Sequence, residues 1–189
     1  MAMQGKGAVD TLLAESLKEL ALCRPVEKIT IKEITDKAGV IRPTFYHHFQ
    51  DKYELLEWII LTELLEPIQP LLENRMINEA LVLLFTNIEK EREFYMQAVR
   101  LEGQNSFESI ARNSVKRIFL ELAKQRTAEV MQKFGWLTPE RIAEYYAQSM
   151  CSVVITWIRS GMAVSAKELA EIYDYMMTHS LEEVLGDSE

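Results

Sequence analysis

The sequence predicts an all-α fold, and three observations support that prediction. Apolar residues recur at spacings of three and four over most of the 189-residue chain, which is the period of an amphipathic helix. No segment alternates apolar and polar residues for long enough to indicate a strand. The seven glycines and five prolines fall mostly between the periodic segments, where they are expected to end helices and form turns.

The composition is that of an ordinary globular protein, with 48 % apolar and 26 % charged residues. A chain of this length forms one large domain or two small ones. No apolar run approaches the roughly 18 residues of a membrane-spanning helix. Residues 1–7 lack the apolar stretch of a secretory signal. We therefore expect a cytoplasmic protein that does not contact a membrane.

The residues that most often bind metal ions are few and scattered. Cys23 and Cys151 lie in apolar helical segments and are predicted to be buried free thiols, not a disulfide or a metal pair. His47 and His48 are adjacent, so their side chains diverge on a helix, and His179 lies far along the chain. We predict no metal site, no cofactor and no catalytic residue.

The charge is unevenly distributed along the chain, whose formal net charge is −8. Residues 1–60 hold eight Lys and Arg against nine Asp and Glu, whereas residues 61–189 hold thirteen against twenty. Between Arg24 and Lys52 there are six basic and four acidic residues and two histidines. An anionic partner such as a nucleic acid would therefore bind the first part of the chain.

The first 50 residues predict three helices. A helix over about Ala8–Cys23 ends at Arg24-Pro25, because the residue before a proline disfavours the α conformation. A capping box, Thr30-Ile31-Lys32-Glu33, begins a short second helix. Gly39 ends that helix as the residue suited to a positive φ. Pro43 then falls in the first turn of a third helix, where its missing N–H costs nothing.

A second capping box, Asp51-Lys52-Tyr53-Glu54, begins a helix that we expect to end just before Pro67 and Pro70. These prolines predict a domain boundary. The N-terminal domain would then span residues 8–66, and the C-terminal domain residues 67–189. Further helices are predicted at about 71–91, 93–101, 106–134, 139–160 and 166–186.

Two short helices joined by a glycine turn and braced by a third predict a helix-turn-helix motif over about residues 31–50. The second helix of such a motif lies in the major groove of DNA. On a helical wheel Phe45 and Phe49 share the buried side, with Ile41 close to them. The other positions carry hydroxyl, imidazole and guanidinium groups beside one proline, and they are Arg42, Pro43, Thr44, Tyr46, His47 and His48.

The same residues resemble the DNA-binding domain of the TetR/AcrR family of transcription regulators over roughly residues 8–66. The matching positions are Ile29-Thr30-Ile31-Lys32-Glu33-Ile34, Ala38-Gly39-Val40, Thr44-Phe45-Tyr46, His48-Phe49 and Lys52. The resemblance implies that Thr30, Tyr46, His48 and Lys52 contact phosphates. It also implies that Arg42, Pro43, Thr44 and His47 face the bases. One departure is Ile41, where the family usually has a Ser or Thr cap; packing of Ile41 is expected to compensate.

Two of these assignments have plainer alternatives. Tyr46 would be a core residue if its ring turned inward, although its wheel position favours a half-exposed phosphate contact. Lys28 is predicted to bind DNA, and with Lys32 and Lys37 it would contribute at least a salt-dependent attraction without sequence specificity. The alternative is that these lysines form only a solvated surface.

In the family that the sequence resembles, the C-terminal part is a helical domain that binds a ligand and forms a homodimer. The predicted dimer helices are residues 139–160 and 166–185, whose apolar stripes are wider than one packing face requires. A small apolar ligand is expected among side chains that would otherwise be plain core. These candidates are Trp58, Phe85, Tyr95, Phe107, Phe119, Met150 and Trp157.

More narrowly, residues 49–59 resemble regulators associated with dihydroxyacetone kinase operons. That resemblance permits activation through a coregulator protein, while the family as a whole favours a homodimeric repressor of operator DNA controlled by a small ligand. Two other classes stay open. One is a protein–protein adaptor that has lost DNA binding, and the other is a helical enzyme, for which the sequence offers no converging nucleophile and base.

Overall fold

The structure is a computed structural model that describes residues 7–186, apart from the side chains of Arg126 and Val130. Every regular element within that range is helical, which confirms the predicted all-α class. The helices are α1 (Ala8–Cys23), α2 (Ile31–Ala38), α3 (Arg42–His48), α4 (Lys52–Ile59), α5 (Glu66–Glu73), α6 (Ile77–Lys90), α7 (Arg92–Ala98), α8 (Phe107–Arg126), α9 (Ala128–Lys133), α10 (Pro139–Arg159), α11 (Ala166–Thr178) and α12 (Leu181–Leu185). A 3₁₀ turn (Val26–Lys28) precedes α2, and a π-helical turn (Ile60–Leu65) joins α4 to α5.

Helices α1 to α4 form the N-terminal helix-turn-helix domain, in which α1 packs on both α2 and α4. The predicted bounds of α1, the capping box at Thr30 and the positive φ of Gly39 (70°) are all confirmed. The core of this domain is aliphatic and aromatic, and its fully buried members include Leu13, Leu17, Ile34, Phe45 and Leu55.

The predicted helix end at Pro67 is wrong, because the backbone stays helical from Lys52 to Glu73. Pro67 lies in the first turn of α5, and the π-helical turn before it shifts the hydrogen-bond register by one residue. Because Pro67 has no N–H, the carbonyl of Glu63 loses its usual donor four residues later. The side-chain amide of Asn87 donates to that carbonyl instead, at 3.2 Å. The division of the chain into domains at residue 66 stays a prediction.

Three other predicted helices are interrupted. The helix expected at 71–91 breaks at residues 74–76, where Arg75 has a φ of 61°. The helix expected at 106–134 breaks at Thr127, whose hydroxyl donates to the carbonyl of Ala123 at 2.8 Å. The last helix breaks at His179, and Ser180 caps the short α12 that follows. Local side-chain bonds to the backbone compete with helix continuation at the second and third of these breaks.

The C-terminal half is built by α8 packing along α10, and by α5 and α11 packing on α6. Cys151 of α10 is buried there, and burial raises the pKa of its thiol to about 12. Cys23 is exposed, so its predicted burial is wrong. It lies two residues beyond Ala21 on α1, on the opposite side from the buried stripe of Leu13 and Leu17. Among residues 7–186 no helix is long and apolar enough to cross a membrane.

Candidate nucleic-acid interface

Helix α3 is anchored to the domain by its two phenylalanines. Phe45 is fully buried and Phe49 is 5 % exposed, and their ring centroids lie 5.9 Å apart. Phe49 also packs edge-on against Trp58 of α4, with ring centroids 6.1 Å apart. These contacts fix which side of α3 faces outward.

Helix α2, which precedes α3, has a defined cap at each of its ends. Glu33 accepts from the Thr30 N–H at 2.9 Å, and the Glu33 N–H donates to the Thr30 hydroxyl at 3.3 Å. The bond from the Thr30 N–H and a second bond from the Thr30 hydroxyl lower the pKa of the Glu33 carboxyl, and Arg24 adds an ion pair at 2.7 Å. The left-handed Gly39 then turns the chain toward α3.

The outward side of α3 carries Arg42, Pro43, Tyr46 and His47, all of which are exposed, with Thr44 half-buried. Tyr46 is 50 % exposed, so it does not belong to the core. The Arg42 guanidinium donates to the Tyr46 hydroxyl at 3.2 Å and lies 5.9 Å from the centre of its ring. Arg42 is therefore drawn back along the helix, away from its N-terminal tip.

The prediction that Ile41 packs inward is wrong, because its side chain is 69 % exposed. Ile41 is the N-cap of α3 and has extended φ and ψ values of −91° and 154°. A helical wheel describes only residues with helical dihedrals, so it misplaced the residue that precedes the first turn. The Ile41 side chain makes no capping hydrogen bond, and α3 has no acidic residue in its first turn.

His48 and Lys52 are held by contacts inside the domain. The Nδ1 atom of His48 lies 2.7 Å from a carboxylate oxygen of Asp10 on α1. The Lys52 ammonium donates to the carbonyls of Val26, Glu27 and Ile29 at 2.8, 2.7 and 2.8 Å. An ammonium has three donors, so none is left for the phosphate that the sequence assigned to it. Burial lowers the pKa of Lys52.

Lys28 lies beside this arrangement, at the end of the 3₁₀ turn that Lys52 holds. Its side chain is exposed, as is that of Lys32, which forms an ion pair with Asp36 at 2.7 Å. Thr30 is also exposed, although its hydroxyl already takes part in the capping box. The structure thus brings Lys28 and Thr30 to one edge of the domain, next to the start of α2.

Three carboxylates surround one buried lysine in a cluster that joins the two halves of the molecule and was not predicted from the sequence. Lys18 of α1 is 5 % exposed and lies 2.8 Å from Glu15, 3.2 Å from Glu63 and 3.6 Å from Glu91. Its position four residues after the buried Ala14 is the signal that could have found it. Burial raises the pKa of Glu63 although Lys18 opposes that effect.

Two small adjoining apolar cavities lie beyond this cluster, with volumes of about 30 and 40 Å³. They share Leu65, Leu84, Val115 and Met150. Of the predicted ligand residues, Phe119 and Met150 line the smaller cavity, and Tyr95, Phe107 and Met150 line the larger one. Most of the remaining residues that line the cavities are aliphatic. They were hard to predict because the ligand candidates were chosen mainly among aromatic side chains.

The other three predicted ligand residues line neither cavity. Trp58 packs on Phe49, and Phe85 packs on Trp157 with ring centroids 6.0 Å apart. The indole N–H of Trp157 donates to the carbonyl of Val164 at 2.9 Å. These contacts make Trp58, Phe85 and Trp157 parts of the packed interior.

Comparison with known proteins matches both halves of the chain. Residues 14–59 match the bacterial regulatory proteins of the tetR family, and residues 76–179 match the C-terminal region of TetR-type transcriptional regulators. The second match alone covers more than half of the 189 residues. The chain belongs to the TetR family. It is a DNA-binding transcription regulator, as the resemblance of its first 66 residues implied.

Several known regulators are similar to this chain along most of its length. The transcriptional activator DhaS of the dhaKLM operon from Lactococcus lactis is 23 % identical over 146 residues, which are 75 % of each chain. The fatty acid degradation regulator FadR from Bacillus halodurans has a TM-score of 0.63 at 15 % identity, covering 95 % of this chain and 99 % of that one. NalD, the secondary repressor of the MexAB-OprM pump of Pseudomonas aeruginosa, has a TM-score of 0.61 at 22 % identity, covering 89 % and 94 %.

This TetR-family chain also exposes large apolar side chains on its last helices. Tyr145 of α10 is 67 % exposed, and Met176 of α11 is 52 % exposed. Leu181 and Leu185 of α12 are 72 % and 74 % exposed.

Among the described residues, no three His, Cys, Asp or Glu side chains come together in a way that could hold a metal ion.

Proposed function

We propose that this TetR-family regulator is a homodimer that inserts α3 of each subunit into the major groove of a two-fold symmetric operator. The observation that supports this best is the division of α3 into two sides. Phe45 and Phe49 are buried, whereas Pro43 and His47 are exposed beside Thr44. A helix held in this way presents its polar side without rearrangement.

The side chains have two kinds of role in this proposal. Arg42, Pro43, Thr44 and His47 face base edges, where guanidinium, hydroxyl and imidazole groups discriminate between base pairs. Phosphates are contacted by side chains around the rim of α3 and at the start of α2, namely Lys28, Thr30, Tyr46 and His48. Lys52 acts from inside the domain, because its three donors hold the turn that carries Lys28.

The homodimer forms through α10 and α11, within the predicted ranges 139–160 and 166–185. Exposed apolar side chains such as Tyr145 and Met176 are costly in water, and a partner copy would bury them. A two-fold dimer matches two operator half-sites spaced about 34 Å apart, which is one turn of DNA. Such a regulator acts in the cytoplasm, where the chromosome lies.

The test is a fluorescence anisotropy titration with DNA from upstream of the regulator's own operon, at a fixed salt concentration. Thr44→Ala is expected to weaken operator binding about fivefold, through the loss of about 1 kcal/mol at a base edge. Thr86→Ala, on α6 in the C-terminal half, is the matched control and should bind as the wild type does. Equal affinities for the wild type and Thr44→Ala would contradict the proposed reading side.

We propose that an apolar effector binds at the two small cavities by displacing the side chains that line them, and that it changes operator affinity through α4. The helix runs from the turn held by Lys52 to the π-helical turn, whose Leu64 and Leu65 line the cavities. An effector that favours one position of this helix shifts the population of the DNA-binding state. The size of that shift is limited by the difference between its affinities for the two states. Repression is the proposed effect of operator binding.

Activation with a coregulator protein is the second candidate, because the Lactococcus lactis relative is named as a transcriptional activator. Transcription in vitro from a template that carries the operator decides between the two. Repression predicts fewer transcripts when the purified regulator is added, and activation predicts more. A requirement for a second purified protein from the same operon would identify the coregulator.

A further inference from the structure

The N-terminal tip of α3 is apolar, which is unusual for a surface expected to lie against DNA. Ile41 is 69 % exposed, and Pro43 beside it is exposed as well. The one charged side chain of the tip, Arg42, leans back to donate to the Tyr46 hydroxyl at 3.2 Å. The branched side chain of Ile41 and the ring of Pro43 are therefore left at the leading end of the helix.

This choice of residue brings α3 no benefit inside the domain. An N-cap side chain normally accepts a backbone N–H bond, and Ser, Thr, Asp and Asn do so best. Ile41 accepts none, and its hydrocarbon is left in water. A β-branched apolar residue at an uncapped, exposed position is explained more simply by a contact that forms only in the complex.

We propose that Ile41 determines part of the operator sequence by packing on the 5-methyl group of a thymine in each half-site. This inference rests on the proposed function, in which α3 enters the major groove. Thymine alone among the four bases presents a methyl group there, and apolar side chains recognise it by direct contact. The position of Ile41 next to the base-facing Arg42 and Pro43 makes this contact continuous with the proposed reading side.

The experiment uses the operator obtained by selecting random duplexes with the wild-type protein. Each thymine is replaced in turn by deoxyuridine, which keeps the base-pairing edge and removes only the methyl group. Wild-type affinity should fall about fourfold at one thymine per half-site, which corresponds to the burial of a single methyl group. This arm needs no protein variant, so it does not depend on how a variant folds.

Protein variants then assign the effect to Ile41. Ile41→Ser should bind thymine and deoxyuridine operators equally, whereas Ile41→Val should keep most of the discrimination because its branched carbons remain. Ile77→Ser is the matched control, since Ile77 is 45 % exposed on α6, outside the helix-turn-helix domain, and its loss should leave the fourfold effect intact.

Two results would overturn the inference. One is a wild-type protein that tolerates deoxyuridine at every operator thymine, and the other is an unchanged penalty in Ile41→Ser. Either result, together with weaker binding by Thr44→Ala, would refute the role of Ile41 alone. If Thr44→Ala and deoxyuridine both left binding unchanged, the proposed reading side itself would fail.

Discussion

The helical rod from Lys52 to Glu73 meets two different environments, one at its N-terminal end and one near its middle. At the N-terminal end, Lys52 donates to three carbonyls and Asp51 accepts two backbone N–H bonds at 2.8 and 2.9 Å. Near its middle, the π-helical turn lies against apolar cavities. Hydrogen bonds are directional, whereas apolar packing tolerates small displacements. Under the proposed function, an effector at the cavities is therefore expected to move the rod, and the helix-turn-helix domain is expected to follow it as one body.

The largest effect on stability is expected at Lys18, which pairs with Glu63 of the π-helical turn. Lys18→Met leaves Glu63 partly buried without its cation, with Glu15 and Glu91 nearby. Breaking such a pair is expected to lower the free energy of unfolding by about 3 kcal/mol. Urea denaturation followed by circular dichroism measures the change.

Lys32→Met is the control for that substitution, because Lys32 is exposed and pairs with Asp36 on the same helix. An exposed pair at this spacing contributes little to stability, because water and salt screen it. Equal losses of stability in the two variants would show that the Lys18 cluster behaves as surface charge. The expected difference between the Lys18 cluster and the exposed surface of the N-terminal domain would then be absent.

The sequence was sufficient for the fold but not for every contact. Caps at Thr30 and Ser165 and the turn at Gly39 were predictable because each depends on a few adjacent residues. Lys18 and Lys52 were not, because their partners lie 45 and between 23 and 26 residues away in the chain. A sequence pattern indicates that a lysine faces solvent or phosphate, and only tertiary structure shows carbonyls or carboxylates around it.

The candidate site divides in the same way. The buried and exposed sides of α3 followed from helical periodicity, which is why Phe45 and His47 lie where the sequence placed them. The prediction for Ile41 was wrong because this residue precedes the helix, where the helical periodicity does not hold. The lining of the cavities could be predicted only in part, because it consists mostly of aliphatic residues that any helical core contains.

The next largest effect is expected at the N-terminal end of the rod. Lys52→Met removes the cation from three carbonyls, two of them in partly buried bonds, and stability should fall by about 2 kcal/mol, the value of a charge-assisted hydrogen bond. Lys28→Met is the matched control on the turn that Lys52 holds. Its stability should match that of the wild type, while the plot of log affinity against log salt should become shallower by about one, because one phosphate is no longer neutralised. A decrease in stability confined to Lys28→Met would reverse the two assignments.

A smaller effect of opposite sign is expected at the tip of α3. Ile41→Ser supplies the N-cap acceptor that the helix lacks, and it should raise the free energy of unfolding by about 1 kcal/mol. Thermal denaturation should show a higher Tm for Ile41→Ser than for Ile41→Ala, which cannot accept a hydrogen bond. Unchanged stability in Ile41→Ser would mean that water already satisfies the N-terminal N–H groups as well as a hydroxyl does.

The smallest expected effects are on the pH dependence of stability, and they should have opposite signs for Glu63 and Glu33. Burial raises the pKa of Glu63, so its carboxyl stabilises the fold most below about pH 4.5 and loses that contribution as the pH rises through the folded value. The capping bonds from Thr30 lower the pKa of Glu33, so its contribution is present above pH 4.5 and is lost on acidification. Relative to the wild type, Glu63→Gln should therefore gain stability as the pH rises from 4 to 7, and Glu33→Gln should lose it. Urea midpoints across that range measure both, and slopes of the same sign would show that burial does not govern the Glu63 carboxyl.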